Sequence, residues 1–332
     1  MTEERKRPPT MQDVAERVGV SRITVSSVLN DRKPGIRVSE DTRRRILRAA
    51  EEMSYFPNEI ANSLKRGATD TFGFLNVGGL LSSEDEFTAK IIGGLVDGSV
   101  KENKDLLIHR SLSGMDLRRS LLGGKIDGLV LHAQGDAAVL DLLSKSHLPI
   151  VAIVDAIAQF PSIVSDDYGG GKLLAEHFAD RGYHRVLYRR KRLEIVSSRR
   201  RFEGFMDAAG VLGLNVTVIA FDEDSDLDPR EAAFLSDAVN YPCVVTGWRD
   251  LSLAPVARYC RDEGLRTPQD VAMAGFDGLT GQFDLPGVLT TVVAPWAEVA
   301  RTAASVLAAA IRGEEVARET IVPVHLRIGD TT

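Results

Sequence analysis

The chain has 332 residues, too many for one ordinary core and enough for two or three domains. Hydrophobic residues make up 44% and charged residues 27%, an ordinary globular composition, and no run of about 18 apolar residues exists to span a membrane. The net charge of −6 conceals a basic head, since residues 1–66 hold 14 Lys/Arg against 10 Asp/Glu and the remainder holds 27 against 37; this suits one segment meeting phosphate while the rest stays off it.

The N-terminal MTEERKRPPT has no apolar core of the kind a secretory signal needs. Cys243 and Cys260 form no metal-ligand spacing and fit a reducing compartment. A cytoplasmic protein without metal or cofactor is therefore expected.

Residues 11–55 read as short helices. Val14, Ala15 and Val18 give the stretch from Gln12 to Val18 an apolar face, and Gly19-Val20 interrupts it. Ser21 is placed to cap a second helix running through Leu29. Pro34-Gly35 signals a turn, and Ser39 is placed to cap a third helix with Glu40 and Asp41 at its positive end. Two helices joined at Gly19 have the dimensions of a helix-turn-helix, whose second helix presents its first residues to base edges. Those residues are Ser21, Arg22, Ile23, Thr24 and Ser26. Arg22 can donate two hydrogen bonds to guanine, and Ile23 or a Thr methyl can touch thymine. A small helical domain with a merely polar surface reads equally well from the pattern alone.

From Thr71 the rhythm changes to strand followed by helix. Predicted strands are Phe72–Val77, Leu106–His109, Gly128–Leu131, Ile150–Val154, Arg185–Tyr188, Val216–Phe221, Val244–Thr246 and Val271–Ala274. Predicted helices between them include Lys90–Glu102, Lys172–Asp180, Phe202–Ala209 and Ala254–Glu263. Alternation of this kind implies parallel sheets covered on both faces. So many strands exceed one comfortable sheet, and two doubly wound subdomains facing a common cleft are expected, with ligands at the strands' carboxyl ends.

An enzyme is not indicated. VSDDYGGGKLL has glycines before Lys172 but lacks the spacing of a phosphate-binding P-loop, and no G-x-S-x-G, H-E-x-x-H or Cys/His cluster appears.

The fuller text carries a resemblance. TMQDVAERVGVSRITVSSVLN (10–30), VSEDTRRRILRAAEEMSYFPNEIANSLKRG (38–67), DGLVL (127–131), RRRFEGF (199–205), RTPQDVAMAGFDG (266–278) and LTTV (289–292) together closely resemble the lactose/galactose repressor family, LacI/GalR, over the whole chain. The resemblance implies an all-α helix-turn-helix headpiece at 1–56, a hinge helix at 57–67 and a periplasmic-binding-protein-like α/β sensor at 68–332. It places an N-subdomain at about 68–165 and 293–318 and a C-subdomain at about 166–292 and 319–330. It implies a sequence-specific repressor that binds a palindromic operator as a homodimer and responds to a sugar or sugar derivative. DNA-contacting positions by resemblance are Thr10, Ser21, Arg22, Ile23, Thr24, Ser26, Asn30, Asn58, Ala61 and Leu64, the last as the leucine wedged into the minor groove. Effector positions by resemblance are Phe87, Thr88, Asp155, Asp166, Arg201, Arg249 and Asp277. Because the chain ends at LRIGDTT, without a further leucine-rich helix, a dimer rather than a tetramer is expected.

Several positions depart from the family. Ser27 stands where many relatives carry Arg, and Arg32, Lys33 and Arg37 could supply phosphate contacts instead. Arg249 stands where Asn is usual, Ala294 replaces a polar residue, and Arg189, Arg190, Lys191 and Arg192 replace a glycine-rich turn. The added positive charge suggests an anionic effector, a sugar phosphate or acid, although a solvated basic surface accounts for the run as well. A DNA-architectural protein, or an activator without a sugar effector, stays open at this level.

Overall fold

A computed structural model describes residues 7–29, 38–77, 85–109, 114–133, 137–192, 195–222, 227–279, 284–285 and 287–332. Asn30, Arg32, Lys33 and Arg37, singled out above, lie outside these residues. Residues up to Thr69 form one compact unit and Asp70–Thr332 a second.

The first unit contains α1 (Met11–Val18), α2 (Arg22–Leu29), α3 (Glu40–Glu52) and α4 (Glu59–Arg66). Thr10 and Asp13 start α1 reciprocally: the Asp13 N–H donates to the Thr10 hydroxyl at 3.3 Å, and the Thr10 N–H donates to the Asp13 carboxylate at 2.7 Å. The Thr10 hydroxyl also donates to this carboxylate at 2.8 Å, and this bond, the Thr10 N–H and the Arg7 guanidinium hold the Asp13 carboxyl down at about 2. Gly19 closes α1 at φ 74°, a left-handed conformation that glycine adopts without a Cβ clash. Val14, Ala15, Val18, Val25, Val28, Ile46, Ala49 and Ala50 form the core of α1, α2 and α3. Arg45 of α3 donates to the Val18 carbonyl at 2.7 Å, satisfying an orphan acceptor at the end of α1.

The second unit runs β1 (Thr71–Val77), α5 (Glu86–Lys101), β2 (Asp105–His109), α6 (Gly114–Leu122), β3 (Gly128–Ala133), α7 (Ala137–Ser144), β4 (Ile150–Ile153), β5 (Ser162–Ser165) and α8 (Asp167–Asp180). It continues through β6 (Arg185–Lys191), α9 (Val196–Leu212), β7 (Asn215–Phe221), α10 (Pro229–Leu235), β8 (Cys243–Gly247) and α11 (Ala254–Asp262). It ends with β9 (Val271–Asp277), β10 (Thr290–Val293), α12 (Trp296–Ile311), β11 (Glu319–Val322) and β12 (His325–Arg327). The described strands make two six-stranded sheets, ordered β11-β5-β4-β3-β1-β2 and β12-β10-β9-β8-β6-β7. The first is wholly parallel, and only the β10–β12 pair of the second is antiparallel.

Helices cover both faces of each sheet, so the strands are apolar on both sides. Ile91 and Leu95 of α5 and Val299 and Ala303 of α12 pack with Phe74 and Val130, and Leu117, Leu121 and Leu143 cover Leu75 and Leu129 from the other face. The second sheet is covered by Leu174, Phe178 and Phe205 on one face and by Leu235, Val256 and Ala257 on the other.

Several boundaries differ from the sequence reading. Strands β5, β10, β11 and β12 are only three or four residues long and were not predicted as strands. Helix α5 starts at Glu86 rather than Lys90 because Asp85 caps it, accepting from the N–H groups of Phe87 and Thr88. Helix α8 starts at Asp167 rather than Lys172, through the glycine run 169–171. A Cβ on Gly171 would lie 2.1 Å from the Arg201 carbonyl oxygen, and one on Gly204 would lie 2.0 Å from that of Tyr168. These glycines let α8 and α9 cross in near-backbone contact.

The expected assignment of 319–330 to the C-subdomain requires correction. β11 pairs with β5 in the first sheet, and only β12 joins the second. Two residues separate these strands, too few to register as a boundary in the sequence. The chain thus crosses between the subdomains at 166, at 294–295 and at 323–324.

Candidate functional site

In the first unit, Ser21 caps α2, its hydroxyl accepting from the Thr24 N–H at 3.1 Å and lying 2.9 Å from the Thr24 hydroxyl. The cap leaves the first turn of α2 open. Arg22 is exposed and Ile23 is 67% exposed, while Thr24 and Ser26 are half-buried. The charge of Arg22 is felt at Tyr55, whose hydroxyl burial pushes above its ordinary range. Thr10 is exposed but committed to the α1 cap. Asn58 caps α4, accepting from the Ala61 N–H at 3.2 Å. Ala61 is exposed and Leu64 is 86% exposed, so α4 presents an apolar side chain on a short helix.

In the second unit the carboxyl ends of both sheets meet at a charged cluster centred on Arg201 of α9. Arg201 Nε donates to Asp167 Oδ1 at 2.8 Å. One terminal nitrogen donates to Asp277 Oδ1 at 3.0 Å and to the Trp248 carbonyl at 2.6 Å. The guanidinium lies 3.8 Å from the centroid of Phe276. Burial alone would favour its neutral form, but the Asp167 and Asp277 carboxylates more than offset this and raise its pKa. Asp155, just after β4, accepts from the Ser197 N–H in the first turn of α9 at 2.9 Å and so bridges the two subdomains. Burial raises the Asp155 pKa. A second bridge joins Arg200 to Glu319 through two hydrogen bonds of 2.9 Å.

Asp277 ends β9 at φ 117°, outside ordinary side-chain conformations, which suits a position fixed by its surroundings. Behind it Asp250 is buried, accepting from the Thr291 hydroxyl at 2.6 Å and from the Leu279 N–H at 2.9 Å. Burial pushes both carboxyls up, and Asp277 pushes Asp250 further. Gly275 makes room: a Cβ there would lie 2.1 Å from Asp250 Oδ1.

An aromatic group gathers in the subdomain of the first sheet. Phe87 of α5 stands edge-on to Trp296 of α12 at 5.1 Å and 5.6 Å from the His132 ring at the end of β3. Burial drives His132 down to about 4, so the ring is neutral near pH 7. His132 Nε2, Trp296 Nε1 and Trp248 Nε1 are buried with no hydrogen-bond partner among the described residues, an arrangement costly unless another molecule supplies one.

The predicted effector residues thus divide. Asp155, Arg201, Arg249 and Asp277 come together, with Arg249 close enough to lower the Asp277 pKa. Phe87 joins a separate aromatic group. Thr88 and Asp166 serve as helix-start residues: Thr88 donates to Asp85 at 2.6 Å, and Asp166 accepts from the Gly169 N–H at 2.9 Å. Missed by sequence reasoning were Asp167, His132, Trp248 and Trp296. His132 could have been found, since it directly follows a predicted strand.

The basic run also divides. Arg189 is fully buried, fixed to Glu231 by bonds of 2.7 and 3.1 Å and to the Ser252 carbonyl. Arg192 pairs with Asp222 at 3.1 Å. These two cations serve the fold, which corrects the expectation that the whole run adds charge to the cleft.

Residues 10–58 match the model of the lacI family of bacterial regulatory proteins, and residues 175–332 match a periplasmic binding protein-like domain. The PurR transcriptional repressor of Photobacterium profundum is 28% identical over 312 residues, covering 90% of each chain. The PurR of Salmonella paratyphi B is 28% identical over 332 residues, covering 96% of this chain and 95% of its own. The Lac repressor dimer bound to operator and the anti-inducer ONPF superposes with a TM-score of 0.80 at 22% identity, covering 98% of this chain and 99% of that one. The regulator CelR, in complex with cellobiose, superposes with a TM-score of 0.68 at 25% identity, covering 98% and 100%.

Proposed function

We propose that the chain, which carries a lacI-family DNA-binding segment and a periplasmic binding protein-like domain and is similar over nearly its whole length to PurR repressors, is a DNA-binding transcriptional repressor that binds a palindromic operator as a homodimer and is controlled by a polar small molecule in the cleft. The observation that carries this reading is the open first turn of α2. There Arg22 and Ile23 stand exposed on a capped helix, as a fork of donors and an apolar contact for base edges must. Leu64, on a helix too short to be stable alone, is the wedge.

A homodimer supplies the two half-sites of a palindrome. Val96 and Val100 of α5 and Leu107 and Ile108 of the edge strand β2 give the sensor an exposed apolar surface for a second copy. The Lac repressor structure that superposes on this chain is a dimer bound to operator. The effector sits among Asp155, Arg201, Arg249 and Asp277, with Phe87 opposite. Its binding favours closure and shifts the population competent for DNA, and operator DNA alters effector affinity by the same factor.

The test is selection of genomic fragments by the full-length protein at near-physiological salt, followed by sequencing of what is retained. One enriched palindrome supports the reading, and retention without a shared motif argues for an architectural binder. Sedimentation of the retained complex should give two chains per site.

A further inference from the structure

Arg200 and Arg201 are consecutive on α9 yet serve different subdomains. Arg201 turns into its own, where it binds Asp167, Asp277 and the Trp248 carbonyl. Arg200 reaches across to Glu319, the first residue of β11 in the first sheet. Its two terminal nitrogens each donate to one carboxylate oxygen at 2.9 Å. The Glu319 carboxylate is the main reason that the Arg200 pKa is raised, against the opposing effect of burial. Neither side chain makes another hydrogen bond among the described residues.

Both ends of this pair sit on fixed elements. Glu319 stands in register with Ser162 of β5, whose N–H donates to the Arg318 carbonyl at 3.0 Å. Arg200 lies in the second turn of α9, a helix of 17 residues that crosses α8 in near-backbone contact. Each partner therefore follows a packed body rather than a loop. A planar fork facing a carboxylate keeps both of its bonds in one relative placement only. Glu319 also lies four residues before the crossing at 323–324, so the pair spans a connection between the subdomains. On the same helix, the Ser197 N–H donates to Asp155 of the first-sheet subdomain. The first two turns of α9 are thus held from the other subdomain at two points.

We propose that Arg200 and Glu319 form a clasp that holds the two subdomains in this placement and thereby regulates the effector site. A ligand that turns one subdomain against the other must part both prongs, so the clasp opposes that movement. The inference rests on the reading of the cleft as an effector site coupled to DNA binding. The two side chains are 29% and 28% exposed, so water can take over either partner when they separate. A contact of that strength biases an equilibrium without locking it.

The test is amide hydrogen exchange in the full-length protein, read at Ser197, which donates across the subdomains, and at Val244, buried at the centre of the second sheet. Glu319→Gln leaves α9 untouched and removes the charge. It should speed exchange at Ser197 by roughly threefold or more and leave Val244 unchanged. Arg200→Gln should match it, and the two together should add little. The exchanged pair, Arg200→Glu with Glu319→Arg, should return toward the parent rate. Affinity for the DNA that the parent protein selects should change in the single variants by a similar factor. Unchanged Ser197 exchange in Glu319→Gln, or an acceleration that Val244 shares, would overturn the clasp. Faster exchange at Ser197 with unaltered DNA affinity would overturn its regulatory role. Selection of no specific DNA by the parent protein would overturn the repressor reading and the regulatory role with it, while exchange at Ser197 still decides the clasp. Should Arg200→Gln fail to fold, Glu319→Gln decides.

Discussion

The Asp155 carboxylate accepts a hydrogen bond from the Ser197 backbone N–H at 2.9 Å, so a residue of one subdomain caps the first turn of a helix in the other. Helix α9 also carries Arg201, so the bridging contact and the central guanidinium share one helix.

Removing this acceptor leaves a buried N–H unsatisfied. Asp155→Ala should cost about 1–3 kcal/mol of stability and expose the Ser197 amide to hydrogen exchange. Asp155→Asn, which keeps an accepting oxygen, should retain most of the protection. Unchanged exchange at Ser197 in the alanine variant would mean that this bond does not protect the amide.

The pair of Asp250 and Asp277 makes stability depend on pH. Burial raises both pKa values above the usual value near 4, so the folded chain holds protons that the unfolded chain has released. Stability must then fall as pH rises above about 4, by at most about 1.4 kcal/mol per pH unit for one proton, until the folded groups ionise. Asp250→Asn can keep both contacts, accepting from the Leu279 N–H and donating to the Thr291 oxygen. Its melting temperature relative to the parent protein should therefore climb with pH; a difference independent of pH would mean that Asp250 carries no extra proton.

At the recognition helix, Arg22→Ala should cost about 1–3 kcal/mol of operator binding and relax preference at one base position of each half-site. Binding to a randomised operator library measures this. Undiminished selectivity would remove Arg22 from base readout.

Leu64→Ala should weaken binding to the operator while leaving binding to random DNA nearly intact, because wedging serves only the bent specific complex. Mobility shifts on both DNAs check this. Equal losses would assign Leu64 to general stability.

Much of the fold was legible because the elements that matter are long and strongly patterned. The caps at Ser21 and Ser39 and the Gly19 turn follow directly from residue type. Short strands were lost: β10 and β11 carry four residues each, and their partners are set by chain crossings rather than by local pattern. At the cleft, Arg201 and Asp277 stood out as charges in strong motifs. Asp167 was hidden beside Asp166, and only the helix start decides which carboxylate turns inward. Arg189 looked like surface because a run of four basic residues suggests solvent. In a strand, alternate side chains face opposite ways, and the buried partner Glu231 lies 42 residues away. Trp248 and His132 gained meaning only when their ring nitrogens proved buried without partners among the described residues.

Three connections join the subdomains, at 166, 294–295 and 323–324. Because β5 and β11 are neighbours in one sheet, as are β10 and β12 in the other, these links leave from the same flank of the sensor. On the proposed reading these links form a common hinge, so any ligand bridging the two subdomains would produce the same movement whatever its chemistry. A new signal would then require new side chains only where the subdomains face each other, with the output movement inherited unchanged.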